Sequence, residues 1–354
     1  SKMLSKEAGY LKNYDAQMQV GFDPKGGSTQ LQLFYGPNNY HMLQDHNELA
    51  VGGKDLDLEE LVYLGWPLFR WINRFFIIYL FDWLTGWGLP MGVVLLLLTL
   101  IVKALVYPPT RKSFLASARM RVLKPRIDEV AAQYPDPKDA MQKQQAIMQV
   151  YSRYGVSPMG GCLPMLIQMP IWIALFNFVP NAIELRGQSF LWADDLSAYD
   201  ELINWGTDLW LIGDHLSIFC LLFCATNIVN TIISMRQQQN AAMTPEQEQS
   251  MKMMRWMMYI MPVMFFFMFN NYSSGLNYYY FLSGLSSIVI MWFLRKTTDD
   301  KKLLAELDAR YQKNKEKGFA APGGLSGMAA RLQALQKMQQ EQMEAQRRAR
   351  EGKK

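Results

Sequence analysis

The residue with the clearest chemical meaning is Lys103, which lies late in an apolar run with the sequence TLIVKALVYPP. An unpaired ammonium facing lipid near the centre of a bilayer would cost at least about 2.5 to 3.5 kcal/mol. One interpretation is that the Lys103 stem reaches the headgroups, since Tyr107 near the end of the run is only four residues away. The other is that Lys103 faces a hydrated cavity inside a helical bundle, with Thr99 one turn away on the same face.

Polar residues in the other apolar runs favour the second interpretation. Any one of them could be an interhelical hydrogen bond, worth about 0.6 kcal/mol on average. Together they predict a polar groove within the bundle. These residues are Gln168, Thr226, Asn227, Asn230, Thr231, Asn277, Ser283, Ser286 and Ser287.

Several classes of chemistry lack support in the sequence. The apolar runs hold no pair of carboxylates for a proton relay, and no glycine-rich phosphate loop of the Walker type is present. An ion-coupled pump or an ATPase would need one of these features. Cys162, Cys220 and Cys224 lie in or beside apolar runs and are predicted to be packing residues. Two thiols four residues apart without a histidine pair make poor metal ligands, so we predict neither a metal nor a cofactor.

The elements that must position the polar residues are five apolar runs of near-spanning length. The net charge is +5, and the charged residues are segregated into the connecting segments and the C-terminal tail. A spanning helix needs roughly 17 to 25 residues, so several runs are short unless the bilayer is thinned or neighbouring helices cover them. The sequence predicts a membrane all-α fold with five transmembrane helices around the groove, within residues 87–295. The runs cover residues 90–107, 160–182, 210–235, 256–270 and 275–294.

The N-terminal residues 1–60 are predicted to be the end of a β domain, because apolar residues alternate with polar ones over 18–50 before a Gly-Pro-Asn-Asn breaker at 36–39. The alternating residues include Val20, Phe22, Leu31, Leu33 and Tyr35. Residues 61–86 follow, with an amphipathic helix predicted over 65–82. Arg70, Asn73 and Arg74 form its predicted polar face. Its two arginines make it a poor membrane span, but it suits the membrane surface.

The orientation follows from the basic residues, since loops that stay in the cytoplasm retain lysine and arginine. Residues 109–157 are predicted to form a helical hairpin with a proline-rich tip, and they carry nine lysines and arginines. The opposite loop, 183–208, has one arginine against six acidic residues. We therefore predict that the hairpin and the tail, 296–354, are cytoplasmic and that the β segment is periplasmic.

The hairpin has too few apolar residues to predict an independent core, so we expect a mobile basic arm. Such an arm could dock the ribosome or the signal recognition particle system through Arg119, Arg121, Lys124 and Arg126. Topology alone also explains this basicity. The tail is equally open to two interpretations, a solvated segment or a contact with ribosomal RNA or anionic lipid.

Eight methionines lie between Met251 and Met268. Methionines at helical spacing are often core residues, but unbranched, polarizable side chains also suit a surface that accepts many different apolar partners. Both interpretations stay open.

Several motifs together resemble the YidC insertases of bacteria, which are related to the mitochondrial Oxa and chloroplast Albino proteins. Their order and spacing match over roughly residues 20 to 300, and the GGCLPMLIQMPI stretch is highly specific. The motifs are YGPNNYHML at 35–43, LGWPLF at 64–69, TLIVKALVYP at 99–108, RMRVLKPRI at 119–127, SPMGGCLPMLIQMPIWIALF at 157–176 and SSGLNYYYF at 273–281.

The resemblance implies a five-helix core in the bacterial inner membrane, an interfacial helix, a cytoplasmic hairpin and the last part of a periplasmic β-sandwich domain. It also implies a groove that is open to the cytoplasm and lipid and closed on the outer side. The usual charged residue in this groove is an arginine, whereas this chain has Lys103. The lysine keeps the charge but loses the guanidinium fork, which puts bidentate capture of a substrate carboxylate in doubt.

The function implied is insertion and chaperoning of membrane proteins, without enzymatic catalysis. Polar substrate segments would enter the groove at Lys103, Thr99, Gln168, Asn227, Asn230, Asn277 and Ser283. Apolar segments would slide into lipid along the second and fourth spans, at Met165, Phe176, Met257, Met261 and Met264. The implied partners are nascent membrane proteins, the Sec translocon, the ribosome and signal recognition particle system, and membrane lipids. The alternatives are a small-solute transporter or channel, which typically shows internal repeats that this chain lacks, and a scaffold for the translocon.

Overall fold

A computed structural model provides the fold. The residues it describes are 34–47, 55–136, 139–157, 163–209, 213–238 and 245–316, with short pieces at 2–3, 12–13, 17, 19 and 24–26. The chain divides into two compact units, Ser1–Asn38 and Asn39–Lys354.

In the first unit, strands β1 (Lys2–Met3) and β2 (Lys12–Asn13) pair antiparallel. The alternating residues Val20, Phe22, Leu31 and Leu33 lie outside the described residues. The predicted sandwich domain therefore stays a prediction.

The second unit begins with helix α1 (Tyr40–His46), and the strand predicted over this part of 18–50 is wrong. The helix forms because the Asn39 side chain accepts a 3.0 Å hydrogen bond from the Met42 backbone N–H, and because Tyr40 and Leu43 bury one face. A 3₁₀ helix follows at Leu58–Leu61.

The predicted surface helix consists of three pieces, α2 (Pro67–Ile72), a π-helical turn (Asn73–Ile77) and α3 (Ile78–Thr85). Asn73 is fully buried rather than on the polar face, and its amide donates to the carbonyls of Leu64 (3.0 Å) and Ala174 (2.8 Å). The opposite side exposes a band of large apolar side chains, as an interfacial helix requires. These side chains are Trp66, Leu68, Trp71, Phe75, Tyr79, Trp83 and, just beyond the helix, Trp87.

Helix α4 (Met91–Val122) contains the first predicted span and continues 15 residues beyond its expected end at 107. Pro108 and Pro109 lie inside the helix and remove two backbone donors. In the next position, the Thr110 hydroxyl donates to the Val106 carbonyl at 2.7 Å. The first arm of the hairpin is therefore the same helix as the first span, because the prolines do not end it.

The rest of the hairpin is α5 (Lys124–Ala132) and α6 (Ala140–Arg153). Its buried apolar residues form a small core that includes Leu307 from α11 (Asp300–Glu316), a helix at the start of the tail. The hairpin and α11 therefore share one core, while the expected mobility of the hairpin stays a prediction. The core consists of Leu123, Ile127, Ala131, Ile147, Tyr151, Tyr154, Val156 and Leu307.

The other predicted spans correspond to helices α7 (Leu163–Phe178), α8 (Ile218–Gln238), α9 (Pro245–Phe269) and α10 (Ser274–Thr297). The third span does not begin at 210. A hairpin of β3 (Ile203–Leu209) and β4 (Gly213–Leu216) precedes α8, with Gly213 in the left-handed region at φ +83°. The apolar residues of the sequence continue across the β3–β4 hairpin, so composition alone predicted a start of the helix that is too early.

Two helices in the described part of the chain are long and apolar enough to cross a membrane, Met91–Val122 and Ile218–Met235. Leu166–Asn181 and Trp256–Phe269 are shorter apolar helices. The fold is thus helical with membrane-like apolar helices, and the count of five spans stays a prediction.

Helix α10 packs against both α4 and α8. The crossing with α8 is close at Gly284, where a Cβ atom would lie 2.7 Å from the Thr226 hydroxyl oxygen. Small residues allow this approach in membrane bundles.

Candidate functional site

Lys103 lies on α4 and points at α10. Its side chain is buried, with 8% of the residue exposed, and its Nζ donates to the Ser287 hydroxyl oxygen at 2.9 Å. The Ser287 hydroxyl in turn donates to the Ser283 carbonyl at 2.9 Å. No carboxylate within the described ranges forms an ion pair with Lys103. The ammonium is thus held at a helix crossing by a neutral partner, and it retains donor capacity for another acceptor.

Two other predicted groove residues satisfy their polar groups within the bundle. The buried Thr99 hydroxyl donates to the Leu95 carbonyl of its own helix at 2.7 Å. Asn230 on α8 donates to the carbonyls of Thr226 (3.0 Å) and Gly284 (3.1 Å), which ties α8 to α10. Asn230 is therefore an interhelical bridge as well as a polar lining residue.

Asn277 lies away from the lysine. It is ten residues before Ser287 on α10, which is about 15 Å along the helix axis. Its side chain is fully buried and donates to the Phe269 carbonyl at 3.0 Å. Gln168 and Asn227 are half-buried on α7 and α8. The structure brings together Lys103, Ser283 and Ser287, while Asn277 belongs to the tight turn between α9 and α10.

An aromatic layer packs around Phe269 and was not predicted from the sequence. The Trp172 ring stacks on Tyr280 with centroids 4.8 Å apart, and the Tyr280 hydroxyl donates to the Trp172 carbonyl at 3.2 Å. Rings from α7, α8, α9 and α10 meet here, so the layer fills the bundle at the end opposite the hairpin. Its sequence signals were the phenylalanine run at 265–267 and the aromatic residues of the motifs at 157–176 and 273–281. Its members are Trp172, Phe176, Phe223, Phe265, Phe269, Tyr272 and Tyr280.

The loop 186–200 covers the N-terminal ends of three helices, and we call it the cap loop. At α4, the Phe190 ring occupies the space beside Gly92, where a Cβ would lie 2.1 Å from the ring. At α10, the backbone N–H groups of Ser274 and Gly275 donate to the carbonyls of Ala198 (2.6 Å) and Leu196 (2.9 Å). The α9–α10 turn is thus closed by backbone hydrogen bonds.

Asp200 joins the cap loop to α8. This buried carboxylate accepts hydrogen bonds from the backbone N–H groups of Ile218 (2.8 Å) and Phe219 (3.1 Å) and from the Trp192 indole (2.9 Å). The Ser217 hydroxyl also donates to it. A carboxylate at a helix N-terminus satisfies free backbone donors and favours the helix dipole. This contact could not be predicted from local sequence, because Asp200 precedes the helix by 18 residues.

The predicted substrate slide divides into two parts. Met257, Met261 and Met264 are exposed along one face of α9, at 58%, 44% and 64% of their surface. Phe176 instead packs in the aromatic layer, against Trp172, Phe269 and Tyr272. Met165 lies in α7, and its side chain is outside the described ones. Of the predicted slide residues whose side chains the structure describes, the exposed ones are therefore all on α9.

Two of the four predicted docking residues are engaged within the chain. Arg121 pairs with Asp300 of α11 at 2.6 Å. Arg126 pairs with Asp308 of α11 through two contacts, at 2.6 and 3.0 Å, and also donates to the Tyr154 hydroxyl. Burial would lower the Arg126 pKa, but the hydrogen bonds with Tyr154 and Asp308 raise it overall. These arginines hold the tail helix, whereas Arg119 and Lys124 are half-buried with no acidic partner in the described ranges.

The cysteines Cys220 and Cys224 are free and buried on α8, as predicted for packing residues, and Cys162 lies outside the described residues. Within the described ranges no three histidine, cysteine, aspartate or glutamate side chains are grouped to hold a metal ion.

A buried lysine among apolar helices, a surface helix with exposed aromatic side chains and a basic hairpin beyond the apolar bundle are typical of a helical membrane protein. The family model described as 60Kd inner membrane protein matches residues 83–302, more than half of the chain. The chain belongs to this family of membrane proteins.

Relatives in several bacteria carry the name membrane protein insertase YidC. The protein of Phocaeicola vulgatus is 64% identical over 232 residues, covering 65% of this chain and 37% of the relative. That of Bacteroides fragilis strain ATCC 25285 is 56% identical over 244 residues, covering 68% and 39%. That of Porphyromonas gingivalis strain W83 is 40% identical over 247 residues, covering 67% and 39%. The chain thus spans less than two fifths of these relatives, and their names give no support to a transporter.

Proposed function

We propose that this chain is the membrane-embedded part of an insertase that transfers polar segments of nascent membrane proteins across the bilayer and releases apolar segments into lipid. The single observation that carries the proposal is the buried ammonium of Lys103, which the helix crossing holds with a neutral serine and no counterion among the described residues. A charge retained in this setting favours a ligand that is polar or anionic.

The physical task of such a site is to lower a desolvation barrier. A polar or acidic substrate segment that enters hydrocarbon loses its hydrogen bonds to water, whereas beside Lys103 it meets an ammonium and hydroxyl groups. The transfer of the substrate's apolar segment into the bilayer then supplies the free energy, at roughly 25 cal/mol per Å² of apolar surface. No covalent step or nucleotide is needed for this mechanism.

The arrangement of the bundle supports a groove that is closed at one end. The aromatic layer and the cap loop fill the end where α4, α8 and α10 begin. Lys103 lies 12 residues into α4, about 18 Å from its start and four residues before residue 107, where the predicted span ends and the hairpin begins. We propose that the hairpin end faces the cytoplasm and that the exposed methionines of α9 form the path of the apolar segment into lipid.

Orientation can be tested with single cysteines in inverted and right-side-out vesicles. Ala131 would be a natural hairpin site, but it is buried, so Gln133 is the better one. We expect an impermeant maleimide to label Gln133→Cys only from the cytoplasmic side and Glu201→Cys only from outside. Labelling of both from one side would overturn the proposed topology.

The insertase activity can be tested with purified chain in liposomes and a small substrate with an acidic N-terminal segment. We expect insertion by wild type and by Lys103→Arg, and at least about tenfold slower insertion by Lys103→Glu, because like charges at the groove repel. Lys112→Glu is the matched control, because Lys112 is exposed on the same helix outside the bundle.

Equal insertion by wild type and Lys103→Glu would exclude the electrostatic role. A wild-type chain that inserts nothing alone, but accelerates insertion when the Sec translocon is present, would favour a scaffold for the translocon. The proposed partners are nascent chains, the translocon, the ribosome and signal recognition particle system, and lipids. Since Arg121 and Arg126 are engaged with α11, we propose that any ribosome contact on the hairpin uses Arg119 and Lys124.

A further inference from the structure

Leu191 lies at the tip of a tight turn in the cap loop and has an unusual backbone conformation. Its φ is +55°, in the left-handed region that disfavours residues with a branched side chain. Its side chain is 68% exposed, so no packing contact within the described residues explains the choice of leucine over glycine or asparagine. A strained position that carries an exposed apolar side chain points to a function of that side chain.

The neighbouring residues impose this conformation. Phe190 and Ala193 exchange two backbone hydrogen bonds, at 2.9 and 3.0 Å, which close the turn around Leu191 and Trp192. The Phe190 ring packs on Tyr278 with centroids 5.2 Å apart, and the Trp192 ring stacks on Phe219 at 4.4 Å. Both flanking side chains are held in the bundle, and only Leu191 projects from it.

The position of the turn identifies what Leu191 meets. Phe190 fills the space beside Gly92, the second residue of α4, and Trp192 stacks on the second residue of α8. The turn is therefore level with the first turns of two helices long and apolar enough to span a membrane. Trp83 and Trp87, on the segment that leads into α4, are exposed at 54% and 55%. Exposed tryptophans mark the boundary between headgroups and acyl chains.

We infer that Leu191 inserts into the boundary of the lipid bilayer at the side where α4 and α8 begin, and anchors the cap loop there. The partner is the lipid surface, and the anchor keeps the turn seated over the starts of α4 and α8. The inference requires only that the bundle spans a bilayer, and it does not depend on the insertase activity.

Depth measurement tests the contact directly. The 354-residue chain, with Cys162→Ala, would be placed in nanodiscs of phosphatidylcholine and phosphatidylglycerol that contain lipids spin-labelled at acyl carbon 5 or 12. A nitrobenzoxadiazole label at Leu191→Cys should be quenched at least twofold more than one at Glu201→Cys, an exposed residue ten positions along the same segment. Quenching should also be stronger from carbon 5 than from carbon 12. Cys220 and Cys224 are buried, and the chain without added cysteines gives the background.

Equal quenching at the two sites would overturn the inference. A label at position 191 that is shielded from water but is not quenched by the spin-labelled lipids would also overturn it, because another protein segment would then cover the leucine.

A second measurement separates anchoring from backbone strain, because the two predict opposite signs. Asparagine tolerates a positive φ better than leucine, so strain alone predicts slower hydrogen exchange of residues 188–200 in Leu191→Asn. Loss of a lipid anchor predicts exchange faster by on the order of tenfold. Leu191→Met is the matched control, because it keeps the apolar side chain and the strain. Slower or unchanged exchange in Leu191→Asn would refute the anchor.

Discussion

Removal of the Asp200 carboxylate should destabilise the start of α8 more than any other single change in the cap loop. Asp200→Ala leaves three N–H donors, from Trp192, Ile218 and Phe219, without their acceptor in a site that is 2% exposed. Each unsatisfied buried donor costs about 1 to 3 kcal/mol, and partial entry of water lowers the sum. The loss of a helix N-terminal anion adds about 0.5 to 1 kcal/mol.

We expect a total loss of about 3 to 5 kcal/mol for Asp200→Ala. At roughly 2 °C per kcal/mol for a chain of this size, the apparent Tm should fall by about 6 to 10 °C. Asp200→Asn keeps one acceptor oxygen and the size of the side chain, so it should lose only about 2 to 4 °C.

The chain contains its own reporters for this assay. Cys220 and Cys224 are buried within the first two turns of α8, so a thiol-reactive dye detects the opening of that helix during heating. Glu201→Ala is the control, because Glu201 is the adjacent residue in sequence and is exposed. The reasoning is refuted if Asp200→Ala stays within about 2 °C of wild type, or if Glu201→Ala shifts Tm equally.

Three further changes test the helix crossing, the tail helix and the cap loop. Gly284→Ala would place a Cβ 3.0 Å from the Thr226 Cβ, so it should lower the free energy of unfolding by about 1 to 3 kcal/mol. Adding Thr226→Ala should recover part of this loss, as measured by thermal unfolding in detergent. Arg126→Asp should speed hydrogen exchange of α11 by about two- to fivefold, because an ion pair that is half exposed contributes only modestly. Adding Asp308→Arg should restore slow exchange, and a failure to restore it would exclude the Arg126–Asp308 pair. Burial alone would raise the Asp195 pKa, but hydrogen bonds from Ser197 and from the Gly187 backbone, with the charge of Arg186, lower it below 3.8. The charged form therefore stabilises the fold above pH 3.8, and unfolding measured against pH should show this contribution lost as pH falls through the lowered pKa, but not in Asp195→Asn.

The sequence predicted those features that can be recognised from the composition of a single segment. Lys103 stood out because a charge in an apolar run is costly wherever the run folds. Its helix and the face it shares with Thr99 followed from periodicity. The identity of its partner did not, because Ser287 is 184 residues away and several serines in α10 were equivalent candidates.

The features that escaped prediction depend on contacts between distant segments. The apolar pattern of 210–235 did not show that Asp200 would fix the start of α8 at Ile218. The basic residues of the hairpin had no visible partner, because Asp300 and Asp308 lie in a tail of mixed charge. Periodicity shows that a surface is apolar, but it does not show which distant segment covers it.

Helix α4 also has a mechanical consequence. It carries Lys103 in its apolar half and the first arm of the hairpin in its other half, and the proline pair at 108 and 109 lies between them. A continuous helix transmits displacement along its axis, whereas prolines make bending easier at one place. Because Leu123 is about 22 Å beyond Pro108, a bend of roughly 10° there would move the base of α5 by about 4 Å. A bend at the prolines would therefore move the hairpin relative to the bundle while Lys103 keeps its contact with Ser287.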